Sequence, residues 1–329
     1  MARFASLLLL LLLIQILGPC TGCSNQSASS DGTQTSSDGG PTASRGSATS
    51  TGGGATSRGE GVVTRDAGRI QAHIRVASVR PGDEDQVCVT LDLGNAETIW
   101  ANDLRASLSG GSHHLIVDRR PANSAVWTTP LPCMPTTATD DSRLMVAERA
   151  ETDVVLPEGV AFRIEPHQRL FLQLHYLNTR EEAHDIEGIV DLGLTAPDTA
   201  PLEAKTIFTG SLLISIDPHS PGSARSFFEP SPPGGNRQVF ALTSHTHRLG
   251  VDTTIERVPS ADAPPTTPIH ESTNWSEAPL TVFSPPLGFD GSDGLRLVCN
   301  YQNDTDNPVA FGTATTDEMC FMWIYYFDP

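Results

Sequence analysis

The chain has 329 residues, with 21 Lys and Arg against 39 Asp and Glu, which gives a formal net charge of −18 at pH 7. This acidic balance excludes a nucleic-acid partner, because binding to a phosphate backbone requires a basic surface. The length is enough for one large or two medium-sized domains after the N-terminal segments described next.

The N-terminus predicts export. Residues 7–13 form an unbroken run of leucine, which is typical of a signal-peptide core and too short to span a membrane. Small residues precede Cys23 and resemble the lipobox of bacterial lipoproteins. The sequence therefore predicts a lipoprotein signal peptide in residues 1–22, lipidation of Cys23, and an extracytoplasmic protein anchored to a membrane, in the periplasm or on the cell surface. Ordinary secretion with cleavage nearby is the alternative.

Residues 23–61 consist mainly of Ser, Gly, Thr and Ala and contain almost no large apolar side chain. Such a segment cannot bury enough surface to offset its ordering entropy, so we expect a flexible tether. The folded part then begins near residue 62.

Four cysteines remain in the folded part, and an even number in an exported chain predicts two disulfides. Three pairings are possible, and free buried thiols are the alternative to all of them. Pairing within each half of the chain is favoured, which joins Cys88 to Cys133 and Cys299 to Cys320.

Short segments of alternating apolar and polar residues predict strands at residues 86–93, 114–117, 160–164, 169–175, 238–244 and 295–301. Turn-forming residues separate these segments, and amphipathic helical patterns are absent. We therefore expect an all-β protein with two tandem antiparallel β-sandwich domains of jelly-roll type. A proline-containing stretch near residue 200 divides them into residues 62–200 and 201–329.

The first group of candidate metal ligands is His113, His114 and His175. Adjacent residues in a regular strand face opposite ways. His113 and His114 can therefore bind one metal only at a strand end or irregularity, with one ring using Nδ1 and the other Nε2. Residues 110–112, Gly-Gly-Ser, supply such an irregularity. On spacing alone, a histidine pair without a metal is the favoured interpretation.

The second group is His245, His247 and Met319. Residues i and i+2 of a strand share a face, so both imidazoles can reach one metal. A thioether is a soft ligand that Cu(I) accepts readily, whereas zinc and iron sites seldom use it. The sequence thus predicts two copper sites per chain. A core methionine beside a disulfide and two surface histidines are the alternative.

Other chemistry has little support in the sequence. Neither a nucleophile elbow nor a phosphate-binding glycine loop is present. We expect the remaining histidines to be solvated loop residues, namely His73, His167, His184, His219 and His270.

Several motifs resemble one known family. They are SHHLIV at residues 112–117, LQLHY at 172–176, HTHRLG at 245–250, CNY at 299–301 and DEMC at 317–320. They resemble the copper type II, ascorbate-dependent monooxygenases, which include peptidylglycine α-hydroxylating monooxygenase and dopamine β-monooxygenase. The resemblance covers most of residues 62–329 and is most specific in the C-terminal half.

The resemblance implies two β-sandwich domains that face each other across a solvent-filled cleft. By it, His113, His114 and His175 form the electron-donating copper site, and His245, His247 and Met319 form the catalytic site where O2 binds. Ascorbate or an equivalent one-electron donor recharges both metals. Gln173 shares a strand face with His175, which places it near the first copper.

Two positions depart from the family pattern. Thr243 stands where the peptide-hydroxylating members carry an arginine that recognises the peptide carboxylate, so a peptidylglycine substrate is not expected. Trp323 stands where a tyrosine is expected. Trp323 and Tyr325 fall on one strand face, where they are candidates for lining an apolar or aromatic substrate site. Ordinary core aromatics are the equal alternative.

The sequence therefore predicts a copper-dependent monooxygenase that hydroxylates a C–H bond of a small organic substrate with O2 and ascorbate or an equivalent reductant. A non-catalytic copper-binding or storage lipoprotein is the alternative. A blue-copper electron carrier is disfavoured because no cysteine thiolate accompanies the histidines.

Overall fold

The computed structural model describes residues 59–66, 68–133, 142–196 and 201–329, and these residues form strands, turns and loops only. The all-β prediction is confirmed. The predicted signal peptide, the lipidation site at Cys23 and residues 24–58 of the predicted tether lie outside the described residues. Within the described ranges, no helix is long and apolar enough to cross a membrane.

The strands are, in chain order, β1 (Gly59–Asp66), β2 (Arg69–Val79), β3 (Glu84–Asp92), β4 (Ile99–Leu108), β5 (Ser112–Arg120), β6 (Trp127–Pro132), β7 (Ser142–Ala147), β8 (Glu151–Val155), β9 (Val160–Ile164), β10 (Arg169–Leu177), β11 (His184–Leu194), β12 (Leu202–Gly210), β13 (Ser215–Ile216), β14 (Pro221–Phe228), β15 (Arg237–His245), β16 (Gly250–Val258), β17 (His270–Ser272), β18 (Thr281–Phe289), β19 (Gly294–Gln302), β20 (Val309–Ala310) and β21 (Phe321–Phe327).

The first half of the chain supplies a five-stranded sheet in the order β6-β3-β10-β5-β7. In it, β5 and β10 pair antiparallel with His114 opposite His175. The register then shifts, because Tyr176 pairs with Ser112 and leaves His113 as an extra residue in β5. This β-bulge is the irregularity that the adjacent histidines require, since a bulge redirects the side chain beside it.

A ten-stranded sheet contains strands from both halves of the chain, in the order β1-β2-β11-β4-β9-β12-β21-β15-β18, with β8 paired to β4. The halves meet where β9 and β12 pair in parallel through residues 160–161 and 202–203. The second half adds a four-stranded sheet, β14-β19-β16-β17, and the small pair β13-β20. Antiparallel sheets packed in layers match the predicted sandwich architecture.

Strand β21 is buried on both faces. Every one of its residues, FMWIYYF, is buried, as the sequence of a fully covered strand requires. Trp323 and Tyr325 belong to a core cluster built largely from the first half of the chain, whereas Met322 and Ile324 belong to a second cluster in the C-terminal half. The period-2 alternation of side chains thus makes β21 the strand that both cores share.

Both predicted disulfides are present. Cys88 of β3 pairs with Cys133, and Cys299 of β19 pairs with Cys320, with a Cα–Cα distance of 5.9 Å in each case. The second disulfide fastens the residue just before β21 to the four-stranded sheet.

Replacing Cys299 and Cys320 together by alanine should lower the free energy of unfolding by about 3 kcal/mol. The physical reason is that the disulfide closes a loop with a sequence separation of 21, which restricts the unfolded chain. Urea unfolding of both proteins without reductant measures the difference. As a control, adding reductant should remove most of the difference in free energy of unfolding between the two proteins. Equal stabilities without reductant would contradict the prediction.

A buried histidine cluster as candidate metal centre

Five histidines from the two halves of the chain form one buried cluster. His113 and His114 lie on β5, His175 on β10, His245 at the end of β15 and His247 in the turn after it. Their exposed fractions are at most 7%. All five were predicted from the sequence as ligands.

Distances between ring centroids show how tightly the rings are packed. Within the first group, the centroid of His113 lies 5.1 Å from that of His114 and 5.2 Å from that of His175. In the second group, the rings of His245 and His247 are 5.2 Å apart and perpendicular. This geometry is what i and i+2 residues at a strand end are expected to give.

The two groups also contact each other. The ring of His113 lies 5.6 Å from that of His245 and 5.9 Å from that of His247. His114 is 5.5 Å from His245. The family resemblance implied two groups separated by a solvent-filled cleft. The structure instead packs the two groups together, because strands from both halves of the chain share β21 and its neighbours in one sheet.

Two sets of three histidines have ligand atoms that all lie within 4.8 Å of one another. One is the predicted set, His113, His114 and His175. The other combines His113 with His245 and His247. Imidazole nitrogen is a good ligand for copper.

Four of the five rings keep a buried nitrogen that has no hydrogen-bond partner, and these nitrogens are Nε2 of His113, Nδ1 of His114, Nδ1 of His175 and Nε2 of His247. Nδ1 of His245 lies beside the carboxylate of Glu148 instead. An unpartnered buried polar atom is costly, and binding a cation would relieve that cost. The residues present therefore fit copper.

A neutral imidazole is the form that binds a metal, and the surroundings of His113, His114 and His247 favour it. Burial, together with the neighbouring imidazoles, lowers the pKa of His113 and of His114 well below the usual 6.5. Burial and the nearby His245 and His175 lower the pKa of His247 to about 3.

Hydrogen bonds fix the tautomers of two rings. His247 Nδ1 lies 3.1 Å from the carbonyl oxygen of Asp317, and a carbonyl only accepts, so Nδ1 carries the proton and Nε2 is left for a metal. His175 Nε2 lies 3.0 Å from Oε1 of Glu84. Burial would raise the pKa of Glu84, but hydrogen bonds from Thr315 and His175 hold it below its usual value. The ionised carboxylate accepts from Nε2, which leaves Nδ1 of His175 for a metal.

Three carboxylates around the cluster were not predicted from the sequence, and Glu84 is the first. Besides His175, it accepts hydrogen bonds from the backbone N–H and the hydroxyl of Thr315, at 2.9 and 3.0 Å. It thereby ties the first half of the chain to the loop that carries Met319. Its sequence signal is weak, because it is one of several acidic residues in residues 83–85.

The second is Glu148, which is 4% exposed and follows β7. Its Oε1 lies 2.6 Å from Nδ1 of His245. A lone acidic residue directly after the apolar run of residues 144–147 was the only signal for it.

The third is Glu318, which is fully buried. It accepts hydrogen bonds from the backbone N–H groups of His247 at 3.0 Å and Leu249 at 2.6 Å, and a longer one from Met319 at 3.3 Å. Burial raises the pKa of Glu318 to about 7, against the lowering effect of these donors. The residue fastens the turn that carries His247 to the segment that carries Met319. Its adjacency to Met319 in the motif DEMC was the available signal.

The backbone of Met319 is held on both sides. Its N–H contacts Glu318, and its carbonyl accepts a hydrogen bond of 2.7 Å from the hydroxyl of Tyr301. The side chain is partly buried. Cys320 follows directly and is joined to Cys299, which anchors this segment covalently.

The remaining predicted residues lie in the surrounding core. Trp323 is 2% exposed, and its ring lies 5.8 Å from that of His245. Tyr325 is fully buried, and its hydroxyl accepts a hydrogen bond from the backbone N–H of Val146. Gln173 is also buried, and its Nε2 lies 3.8 Å from the sulfur of Cys88.

A cavity of about 240 Å³ lies next to residues that neighbour His245, although His245 itself does not line it. Glu148 and Thr243 contribute to its wall, and Thr243 is two residues before His245 on β15. Trp323 and Tyr325 are not among the lining residues. The wall is mixed in character and also includes Val146, Arg149, Glu151, Thr152, Asp153, Ala278, Leu280 and Val282.

The other histidines were expected in solvated loops. His167 and His219 lie in turns. The expectation is wrong for His73, His184 and His270, which lie in β2, β11 and β17. Their polar neighbours in sequence do not reveal that strand pairing covers them.

His270 is the most deeply buried of these, at 3% exposure. Its ring nitrogens contact the hydroxyls of Ser244 at 2.9 Å and Thr281 at 2.8 Å. Burial lowers the pKa of His270 to about 4. It links β17 to β15 directly beside His245.

Comparison with known proteins places the C-terminal part of the chain. Residues 231–329 match the sequence model of the copper type II ascorbate-dependent monooxygenase C-terminal domain. This segment contains His245, His247 and Met319, so the resemblance inferred from the motifs is confirmed here.

Comparison with solved structures adds nothing to this assignment. The tandem CBM22-1-CBM22-2 domain of Paenibacillus barcinonensis Xyn10C is 10% identical, covers 83% of this chain and 92% of its own, and has a TM-score of 0.20. PBCV-1 VP54, fitted into a reconstruction of the virophage Sputnik, is 10% identical with coverages of 82% and 92% and a TM-score of 0.24. AerE from Microcystis aeruginosa is 10% identical with coverages of 81% and 91% and a TM-score of 0.14. At these TM-scores, none of the three supports an argument about this chain.

Replacing Glu148 by glutamine should weaken copper binding about 10- to 100-fold, the usual effect of removing a carboxylate that supports a ligating histidine. The reason is that the carboxylate lies 2.6 Å from Nδ1 of His245 and orients the ring. Competition with a copper chelator measures the affinity. Glu151→Gln is the matched control, because Glu151 is exposed in the wall of the same cavity. Equal affinities of the wild type and the Glu148 variant would contradict this role.

His270 should make the metal-free protein less stable in acid. Burial favours the neutral ring of His270 in the folded protein. The stabilisation by this residue is therefore fully present above the ordinary pKa of 6.5, and it is lost as the pH falls toward the folded-state pKa of about 4. The full loss is on the order of 3 kcal/mol. Urea unfolding measures the free energy of unfolding at pH 7.5 and at pH 5. The loss of this free energy between the two pH values should be about 2 kcal/mol smaller for His270→Gln than for the wild type. An identical change in both proteins would rule out this contribution.

Proposed function

We propose that this protein is a copper-dependent monooxygenase that hydroxylates a C–H bond of a small organic substrate, using O2 and a one-electron donor such as ascorbate. The observation that carries the proposal is the buried cluster of five imidazoles, two of them within the segment that matches the family. The family itself is copper- and ascorbate-dependent.

The residues of the chain have separable roles in this proposal. His113, His114 and His175 would hold one copper, and His245, His247 and Met319 would hold the other. Copper held there supplies the one-electron redox chemistry that O2 activation requires.

Around the ligands, the protein excludes water and fixes ring orientations. Glu84 and the carbonyl of Asp317 hold the protons of His175 and His247 on the nitrogens that face away from the metal. Glu318 holds the segment of Met319 against the turn of His247.

The cavity next to the neighbours of His245 supports a small substrate. Its volume of about 240 Å³ is below the range of roughly 300–1,000 Å³ found for drug-sized ligands. Thr243 lines it at the position where peptide-hydroxylating members carry a carboxylate-binding arginine. Acidic residues, Glu148, Glu151 and Asp153, outnumber the single Arg149 in its wall. These features disfavour a substrate that is bound through a carboxylate and favour a neutral or cationic one.

An extracytoplasmic location, anchored to the membrane through Cys23, is part of the proposal. The two disulfides support it, because such bonds form and persist in oxidising compartments. Labelling with a fatty-acid analogue, compared between the wild type and Cys23→Ala, tests the anchor.

Replacing Met319 by leucine should reduce turnover to background, because the thioether sulfur is lost while the volume is nearly kept. Ascorbate-dependent O2 consumption coupled to product formation, over a panel of small amines, alcohols and aromatics, provides the measurement. Met322→Leu is the matched control, since Met322 is buried in the second core cluster three residues later.

Full activity of the Met319 variant would contradict the proposal. Copper binding by the wild type without any substrate oxidation across the panel would instead favour the copper-storage alternative.

A further inference from the structure

His113 is the one histidine that belongs to both groups of potential metal ligands among the described residues. It completes one set with His114 and His175, and another with His245 and His247. The two sets together offer six positions, but only five rings fill them. A neutral imidazole has one ring nitrogen with a free lone pair, so it can bind one metal at a time.

The two sets have similar dimensions. Ring centroids are 5.1, 5.2 and 5.1 Å apart in the set with His114 and His175. They are 5.6, 5.9 and 5.2 Å apart in the set with His245 and His247. The slightly larger second set still keeps its ligand atoms within 4.8 Å of one another. Both sets are therefore close to the size that one metal ion requires.

A bulge in β5 and a contact with Trp275 fix the position of His113 against the C-terminal half. His113 is the extra residue of the bulge in β5, so the strand itself turns its side chain out of the regular alternation. The ring of Trp275, from the loop after β17, lies 5.2 Å from the ring of His113 and packs against it.

Two carboxylates hold the same junction from either side. Glu84 joins β3 to Thr315, and Glu148 contacts His245. The approach of His113 to the histidines of β15 thus rests on contacts that surround it and not on the two rings alone.

We propose that His113 is a ligand shared by two competing metal sites, and that His113, His245 and His247 form an all-nitrogen site for copper. In this conformation, the metal at His245 and His247 gains a third nitrogen ligand only if the site of His114 and His175 loses one. The two sites then bind metal with negative coupling, and the thioether of Met319 competes with the imidazole of His113. This inference rests on the copper binding in the proposed function but not on its catalytic activity.

The test removes the two rings that belong to the first set alone. In the full-length His114→Ala, His175→Ala background, Cu(II) affinity is measured by chelator competition, and EPR reports the number of coordinating nitrogens. Adding His113→Ala should lower the affinity at least about tenfold, since a direct ligand should matter no less than a supporting residue. The EPR pattern should change from three nitrogens to two.

His219→Ala in the same background is the matched control. His219 is a surface histidine paired with Asp306, and its removal should change neither the affinity nor the spectrum. Circular dichroism verifies folding. His113→Gln replaces the alanine variant if that variant does not fold, because glutamine fills more of the space of the ring.

Identical affinity and spectrum with and without His113 would overturn the shared-ligand inference and leave two independent sites. Failure of the wild type to bind any copper would overturn both this inference and the proposed function. The two failures are thus distinguishable.

Discussion

The burial of β21 on both faces is the constraint on which the metal centre depends. One face of this strand belongs to the core of the first half of the chain and the other to the core of the C-terminal half. Its partner β15 pairs with it in register, with His245 opposite Phe321 and Thr243 opposite Trp323. The histidines of β15, the cavity near them and the segment of Met319 are therefore placed against the first half by the packing of a single strand. Close packing tolerates little displacement, so this placement is rigid.

The second constraint is electrostatic. Four buried imidazoles without hydrogen-bond partners at their inner nitrogens carry a free-energy cost that the fold must offset elsewhere. Part of this cost is offset because the outer nitrogens of His175 and His247 have acceptors, Glu84 and the carbonyl of Asp317. Glu148 and Glu318 add negative charge or acceptor oxygens at the edge of the cluster. The surroundings thus suit a positive ion, and the two acceptors select which nitrogen of His175 and of His247 can bind it.

The two histidine groups form one cluster, which differs from the arrangement that the family resemblance implied. The family resemblance implied two ligand groups across a solvent-filled cleft, whereas the rings of the two groups here are buried and in contact. The cavity of about 240 Å³ is lined by Glu148, which contacts His245, and not by His245 itself. Glu148 lies between the cavity and the ring, where it contacts both.

Local pattern and residue chemistry were enough to predict the all-β fold, the disulfide partners and the histidine pair His245 and His247, whereas His113, His114 and His175 were assigned as ligands through the family resemblance. Alternation of side chains, even cysteine count and ligand softness are properties of short segments, so they can be read without the fold. Tertiary structure alone decided that the two groups share one cluster, that His113 lies at a bulge, and that Glu84, Glu148 and Glu318 surround it. These contacts join residues up to 231 positions apart, as between Glu84 and Thr315. Nothing in a local pattern encodes such a distance, because it is set by how the two cores pack on β21.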